Sequence, residues 1–122
     1  RVLFRSSGAV KAVRGFGKLS KAGKYGIKSY KSLTKVLKGT GLQAHHVVEQ
    51  RLAKALGLKA ENMLSVAVTP SEHQIFTNAW RKLIPYGTNY SKLTKNQIWG
   101  YAQQVYKGYP ELLNAAKKTL FG

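Results

Sequence analysis

The chain has no cysteine, no aspartate and a single methionine, and it holds four acidic residues against 21 lysines and arginines. The absence of cysteine excludes disulfides, cysteine-based zinc sites and a cysteine nucleophile. No apolar run approaches the roughly 18 residues of a membrane-spanning helix, so we expect no stable membrane insertion. Residues 1–5 are too short and too charged to serve as a signal peptide. We expect the chain to be a piece of a longer protein.

The charge balance is extreme. The formal net charge is +17 at pH 7, which favours nucleic acid, an anionic membrane surface or an acidic protein as the partner. The 122 residues make one small domain at most, and 43% of them are hydrophobic, which is enough for a modest core. Composition alone therefore fits a ribosomal-type structural protein as well as an enzyme that acts on a polyanion.

The first 40 residues differ from the rest in composition. They are rich in glycine and in basic residues and contain no acid. Glycine weakens a helix by about 1 kcal/mol per residue, so we expect residues 1–40 to form a basic arm or linker with one or two short helices. Residues 41–122 are then the functional domain. Helical spacing occurs twice in the arm, over residues 29–37 and at Val10, Val13, Phe16 and Leu19.

The pattern after residue 41 predicts the fold. Two predictions compete near the histidines: a short strand over residues 42–48, or a helix over residues 45–56 that stops at Gly57. Residues 63–68 are rich in β-branched side chains and predict a strand. Capping boxes at Thr69 and Thr94 predict two helices, and Pro110 begins a third. The predicted fold is α+β and mostly helical, with a small β element near the histidine doublet followed by three helices.

All three histidines of the protein lie between positions 45 and 73. Histidine is the side chain best suited to moving protons near neutral pH, and it is a common metal ligand. His45 and His46 are adjacent, so on a strand they point to opposite sides and on a helix they lie about 100° apart; we expect them to do different jobs. His73 falls in the first turn of a capped helix, where free N–H groups favour a phosphate. Asn62 lies in the loop between them, with a side chain able to orient a histidine or a phosphate. On a strongly basic chain, this cluster predicts a nuclease.

The doublet Ala44-His45-His46, followed by Asn62 and His73, resembles the His-Asn-His (HNH) endonuclease superfamily and its toxin branches marked by an Ala-His-His or similar doublet. The resemblance implies a ββα-metal-like core. It implies His45 and His73 as ligands of a divalent metal ion, His46 as the general base and Asn62 as the orienting residue. Histidine ligands favour Zn, Ni, Co or Mn, and Mg stays open.

Residues 42–51 and 65–81 are also similar to the C-terminal toxin domains of bacterial polymorphic toxins, including contact-dependent growth inhibition systems. This resemblance implies a domain that is secreted or displayed on the cell surface as part of a larger toxin. It implies action in the cytoplasm of the target cell, an acidic cognate immunity protein in the producer, and a monomer when that protein is absent.

Four charged residues near the histidines are further candidates for the site. Glu49 has a catalytic role, or it is a solvent-facing helix acid or the internal partner of Arg51 or Arg81. Arg51, Arg81 and Lys82 are candidates for contacting nucleic acid, although Arg81 and Lys82 also fit the solvated end of a helix.

Three functions remain open from the sequence. The first is a metal-assisted endonuclease, with DNA favoured over RNA as the substrate. The second is a metal-independent RNase, in which the 2′-hydroxyl is the nucleophile and two histidines act as base and acid. The third is a non-catalytic, basic nucleic-acid-binding module in which the histidines are incidental.

Overall fold

The computed structural model describes residues 15–122. Over these residues the fold is α+β and mostly helical, as predicted, with a three-stranded antiparallel sheet and six α-helices. The strands are β1 (Lys28–Ser29), β2 (Gln43–His46) and β3 (Leu64–Val68). The helices are α1 (Ala22–Tyr25), α2 (Tyr30–Leu37), α3 (Ala53–Leu56), α4 (Pro70–Leu83), α5 (Lys95–Val105) and α6 (Pro110–Phe121).

The histidine doublet lies on an edge strand. The strand order is β1-β3-β2, so β3 is central and β2 has one open edge. In the antiparallel register, His45 is opposite Val66 and His46 is opposite Ser65. Along the chain, β2 comes before its antiparallel partner β3, and α4 follows β3.

Helices cover both faces of the sheet. Successive side chains on a strand point to opposite faces, and on β3 the side chains of Val66 and Val68 enter the main core while Ala67 enters a smaller cluster. That smaller cluster contains Leu33 and Leu37 of α2. The main core lies against α4, α5 and α6, and its largest fully buried side chains include Trp80, Tyr106, Ile98 and Leu112.

The competition between strand and helix at the doublet is resolved in favour of the strand. Pairing with β3 engages residues 43–46, and this pairing is incompatible with the helix predicted over residues 45–56. What remains of that helix is a 3-10 turn at Gln50–Leu52 and the one-turn α3. α3 does end at Gly57, whose φ of 69° is left-handed. His45 and Glu49 consequently do not share a helical face.

Both predicted capping boxes are present, and they fix where α4 and α5 begin. The Thr69 hydroxyl accepts from the backbone N–H of Glu72, and the Glu72 carboxylate accepts from the backbone N–H of Thr69. Thr94 and Gln97 make the same pair of bonds at α5. Within residues 15–122, no helix has the length and apolar character needed to cross a bilayer.

Residues 15–40 belong to the folded domain and are not an arm. Phe16, Leu19 and Ala22 are buried in the main core, while β1 and α2 complete the sheet and cover one of its faces. The predicted boundary at residue 40 is therefore wrong for this part of the chain, because its glycines sit at turns rather than in a flexible linker. Gly26 and Gly39, for example, have φ values of 70° and 76°. The rest of the predicted arm, residues 1–14 with Val10 and Val13, lies outside the described residues.

Candidate active site

A cavity of about 430 Å³ opens beside the edge strand, and its wall contains His45, His46 and His73. Because β2 is an edge strand, side chains from both of its faces reach this cavity. His45 reaches it from the side of α4, and His46 from the side of α2. The structure thus brings the three predicted histidines together. The other residues in the wall are Tyr30, Ala44, Glu49, Gln50, Arg51, Thr77 and Tyr86.

His46 is held on two sides. Its Nε2 lies 3.0 Å from the carbonyl oxygen of Ala60, and its ring stacks on Tyr30 with centroids 4.1 Å apart. A carbonyl oxygen only accepts, so Nε2 carries the proton and Nδ1 of the neutral ring carries the lone pair. Burial lowers the pKa of His46 against the opposing effect of the Ala60 hydrogen bond, and His73 lowers it further. The ring is therefore a neutral, oriented base near pH 7.

His45 is buried and fixed by a tyrosine. Its Nε2 lies 2.7 Å from the Tyr106 hydroxyl, which donates to the carbonyl oxygen of Val47 and accepts from Nε1 of Trp80 at 3.1 Å. A phenol has one proton, so His45 donates from Nε2 and its Nδ1 is left with the lone pair. Burial lowers the pKa of His45 to about 3, with His73 and His46 adding to the effect. Burial raises the pKa of the Tyr106 hydroxyl, so the imidazole of His45 and the phenol of Tyr106 are both neutral.

His73 faces His45 across the cavity. Their ring centroids are 5.3 Å apart in an edge-to-face arrangement, and burial lowers the pKa of His73. Thr77, one turn further along α4, also lines the cavity. Most backbone N–H groups predicted to bind a phosphate at the start of this helix already have partners. The N–H of Glu72 bonds to the Thr69 hydroxyl in the capping box, and the N–H of His73 bonds to the carbonyl oxygen of Thr69.

Glu49 and Arg51 pair with each other inside the cavity wall. Nε of Arg51 lies 2.7 Å from a carboxylate oxygen of Glu49, and this is the single ion pair found over residues 15–122. Arg51 also donates to the Tyr90 hydroxyl at 3.0 Å and to the carbonyl oxygen of Trp80 at 3.4 Å. Burial raises the pKa of Glu49 while Arg51 opposes that shift. Of the roles predicted for Glu49, the structure thus shows the internal partner of Arg51.

The two remaining basic candidates occupy the exposed side of α4. Arg81 bonds to the side chain of Asn78 at 3.0 Å, and its guanidinium lies 5.7 Å from the ring centroid of Tyr86, which lines the cavity. Lys82 is exposed but is not part of the cavity wall. The structure therefore places Arg81 beside the rim of the cavity and Lys82 away from it.

Asn62 is not brought to the histidines. It ends the 3-10 turn Ala60–Asn62 and lines a separate cavity of about 490 Å³, together with Lys118 and Thr119 of α6. The prediction that its side chain orients a histidine is therefore wrong. The turn does orient His46, but through the backbone carbonyl of Ala60, while Asn62 lines the other cavity.

Several residues of the site were not predicted from the sequence. Thr77 follows His73 by one helical turn, so the i, i+4 spacing was an available signal. Tyr30 and Tyr106 contact the histidines from α2 and from the end of α5, and no local pattern links such distant positions. Tyr86 lies just after the predicted end of a helix, but no sequence motif there indicates a role in the site.

Among the residues that the structure describes, no group of three or more histidine, cysteine, aspartate or glutamate side chains is arranged to hold a metal ion. Any protein-bound ion at this cavity therefore has at most two such ligands among the described residues, with water or substrate completing its shell. Comparison of the chain with protein-family models, with curated proteins and with solved structures finds no match.

Proposed function

We propose that this domain is an endonuclease that hydrolyses phosphodiester bonds of nucleic acid at the histidine-lined cavity. One observation carries the proposal: a neutral, oriented His46 lies in the same cavity wall as His45 and His73 on a chain of net charge +17. Phosphodiester hydrolysis needs an activated oxygen nucleophile and stabilisation of the charge that develops on the phosphate. The cavity offers groups for the first need, and the basic chain attracts the polyanion.

His46 is the proposed general base. Its Nε2–H is committed to the carbonyl of Ala60, so Nδ1 is the nitrogen that takes a proton from the attacking water. Stacking on Tyr30 fixes the plane of the ring, and a base held in one orientation loses less entropy on reaching the transition state. The lowered pKa keeps the ring unprotonated before the reaction.

His45 and His73 are the proposed ligands of a divalent metal ion, and their chemistry fits that role. Ligating histidines must be neutral, and both have lowered pKa values. Two imidazoles on one ion, with metal–nitrogen bonds of about 2.1 Å, have ring centres roughly 5 Å apart; the separation here is 5.3 Å. When bound, such an ion stabilises the charge on the phosphate and the leaving oxygen.

A metal-independent RNase is the second candidate, and it is favoured by the small number of possible metal ligands among the described residues. Its mechanism needs one neutral histidine as base and one protonated histidine as acid. The pKa values of all three histidines are lowered, which supplies the base but disfavours the acid. For this reason we propose the metal-assisted reaction ahead of the RNase. That reaction needs no 2′-hydroxyl, and we propose DNA as the substrate ahead of RNA.

The biological role that we propose is that of a toxin domain, delivered as part of a larger secreted or surface-displayed protein and active in the cytoplasm of the target cell. A free nuclease is lethal to its producer, so an inhibitor is required. Electrostatic steering favours an acidic immunity protein for so basic a domain. Expression of the domain alone should stop bacterial growth, and co-expression of the open reading frame immediately downstream should restore it. Normal growth with the domain alone would contradict the toxin role.

The chemistry is tested by incubating the domain with plasmid DNA and with tRNA, each with and without EDTA. Plasmid cleavage that EDTA abolishes and Mn²⁺ or Zn²⁺ restores supports the metal-assisted endonuclease. Cleavage of tRNA that persists in EDTA and leaves 2′,3′-cyclic phosphate ends supports the RNase. If the domain binds both nucleic acids and cleaves neither, it is a binding module and the proposal is wrong.

A further inference from the structure

Tyr86 is an exposed aromatic residue in the wall of the histidine cavity. Its side chain is 59% exposed. Tyr30, the other tyrosine in the wall, is less exposed, because it stacks on His46 on the face of the sheet opposite α4. Tyr86 does not belong to either hydrophobic cluster of residues 15–122. Packing of the core therefore gives no reason for an aromatic side chain at this place.

The backbone holds Tyr86 at the tip of a tight turn. The turn follows α4 directly, after the buried side chain of Ile84. Both the backbone N–H and the hydroxyl of Thr88 donate to the carbonyl oxygen of Pro85, at 3.2 and 2.6 Å. Gly87 has a φ of 91°, a conformation that glycine adopts without strain. The turn thus presents the ring of Tyr86 to solvent from a fixed backbone.

Two guanidinium groups lie over the ring of Tyr86 at cation–π distance. The guanidinium carbon of Arg51 is 4.9 Å from the ring centroid, and that of Arg81 is 5.7 Å from it. Arg51 is itself held by Glu49 and by the Tyr90 hydroxyl, so this cation is fixed in position. The charge of Arg51 is paired with Glu49, whereas Arg81 bonds to the neutral side chain of Asn78. An exposed aromatic ring beside Arg81 suits a nucleotide, because the base stacks on the ring and the phosphate meets this arginine.

We propose that Tyr86 is a stacking platform for an unpaired base, so that the cavity binds single strands or loops in preference to a regular duplex. In a duplex the faces of a base are covered by its neighbours, and only an unpaired base can place its face on a protein aromatic ring. His73 lies near the start of α4 and Tyr86 lies beyond its end. The stacked base therefore belongs to a nucleotide near the cleaved bond and not to the one that reacts.

This inference rests on the proposed function for the identity of the ligand, and binding measurements separate the two. The probe is a short labelled oligonucleotide, used as single-stranded DNA, as single-stranded RNA of the same sequence and as a DNA duplex. The proteins carry His46→Ala, so that the probe stays intact, alone or with Tyr86→Ala, Tyr86→Phe or Phe121→Ala. Phe121 is a second exposed aromatic residue that does not line the cavity, and it serves as the matched control.

Loss of one base–aromatic stack should weaken single-strand binding by roughly tenfold. We expect this for Tyr86→Ala, with little change on the duplex, and binding near the unmodified level for Tyr86→Phe and Phe121→Ala. The slope of affinity against salt should stay the same, because Tyr86 neutralises no phosphate. A larger loss on one of the two single strands would show which strand the platform prefers.

Equal weakening on single strand and duplex would overturn the inference, as would a smaller salt slope, because both point to displaced arginines instead of a lost stack. Unchanged single-strand binding by Tyr86→Ala would overturn it as well. If unmodified protein cleaves nucleic acid in the same preparation, such a result leaves the proposed function intact. If unmodified protein cleaves neither plasmid nor tRNA nor any of the three oligonucleotide probes, the proposed function fails, whatever the result at Tyr86.

Discussion

The Nε2 atom of His45 lies 2.7 Å from the hydroxyl of Tyr106, a residue 61 positions later in the chain. This contact joins the edge strand to the end of α5 beneath the cavity floor. Because the same hydroxyl donates to Val47 and accepts from Trp80, it fixes which nitrogen of His45 is protonated. One phenol thereby ties a proposed ligand of the active site to the packing of the core.

Tyr106→Phe should lower both the stability and the activity of the domain. The substitution leaves the donors of His45 and Trp80 and the carbonyl of Val47 without this partner, and a buried unsatisfied group costs about 1–3 kcal/mol. We expect the free energy of unfolding in urea to fall by at least that amount, and kcat to fall because His45 is no longer held in one tautomer. Tyr101→Phe removes a hydroxyl from α5, the helix that Tyr106 directly follows, and is the control. Equal stability of the two variants would show that the network contributes nothing.

The pH dependence of stability follows from the burial of His45. Its pKa is about 3 in the folded state against an ordinary value of 6.5, so the unfolded chain takes up the proton first as the pH falls. The contribution of His45 to the free energy of unfolding should be constant above pH 6.5. Below pH 6.5 it should decrease by about 1.4 kcal/mol per pH unit. His45→Asn should flatten the decrease, as measured by urea unfolding between pH 6.5 and about pH 5. An unaltered decrease in that variant would mean that His45 is not the group responsible.

The pH dependence of cleavage reports on His46. Because its pKa is lowered in the folded protein, kcat/KM should keep its plateau below pH 6.5 and fall only at more acidic pH, where His46 becomes protonated. The metal-assisted reaction predicts this acidic limb without a second limb near neutral pH. A bell-shaped profile centred near neutral pH would instead indicate a protonated histidine acting as the acid, as the RNase mechanism requires.

Local patterns were sufficient to predict α4, α5, α6 and the strand β3. Each of the three helices has a start signal at its first turn, and β3 is a short apolar run with β-branched residues. Local patterns do not decide between strand and helix at β2, because its four residues gain their pairing from β3, more than 15 positions away. Residues 15–40 are folded and not an arm for a related reason: their glycines lower helix propensity, but the burial of Phe16 and Leu19 in the main core outweighs that cost. The helical spacing over residues 29–37 does correspond to α2.

In the candidate site too, contacts between nearby elements could be predicted and contacts between distant ones could not. The clustering of three histidines in sequence was enough to predict their meeting in space, because β2 pairs with β3 and a short connection leads from β3 to α4, which carries His73. Tyr106 and Tyr30 approach the histidines through tertiary packing, which no spacing rule expresses. Asn62 lies between the histidines in sequence, but in the fold it lines another cavity.

Asn62→Ala should leave cleavage within about threefold of the unmodified protein, because changes at exposed positions outside a site are usually small. Its exposed side chain lines the second cavity, while the orientation of His46 depends on the backbone of Ala60. The measurement is kcat/KM on a defined oligonucleotide, with thermal melting to show that the turn is intact. A loss comparable to that of a histidine variant would mean that Asn62 acts in the reaction, as the resemblance to HNH enzymes implied.

The most direct test of the account compares His46→Ala with the unmodified domain on the same nucleic acid. Removal of a general base typically costs about 10²- to 10⁴-fold in rate, so we expect a loss in that range, with an unchanged circular dichroism spectrum and unchanged affinity for substrate. Retained affinity with lost cleavage identifies His46 as a catalytic group and excludes a purely structural role. Full activity of a folded His46→Ala protein would contradict the central claim that this histidine cluster cleaves phosphodiester bonds.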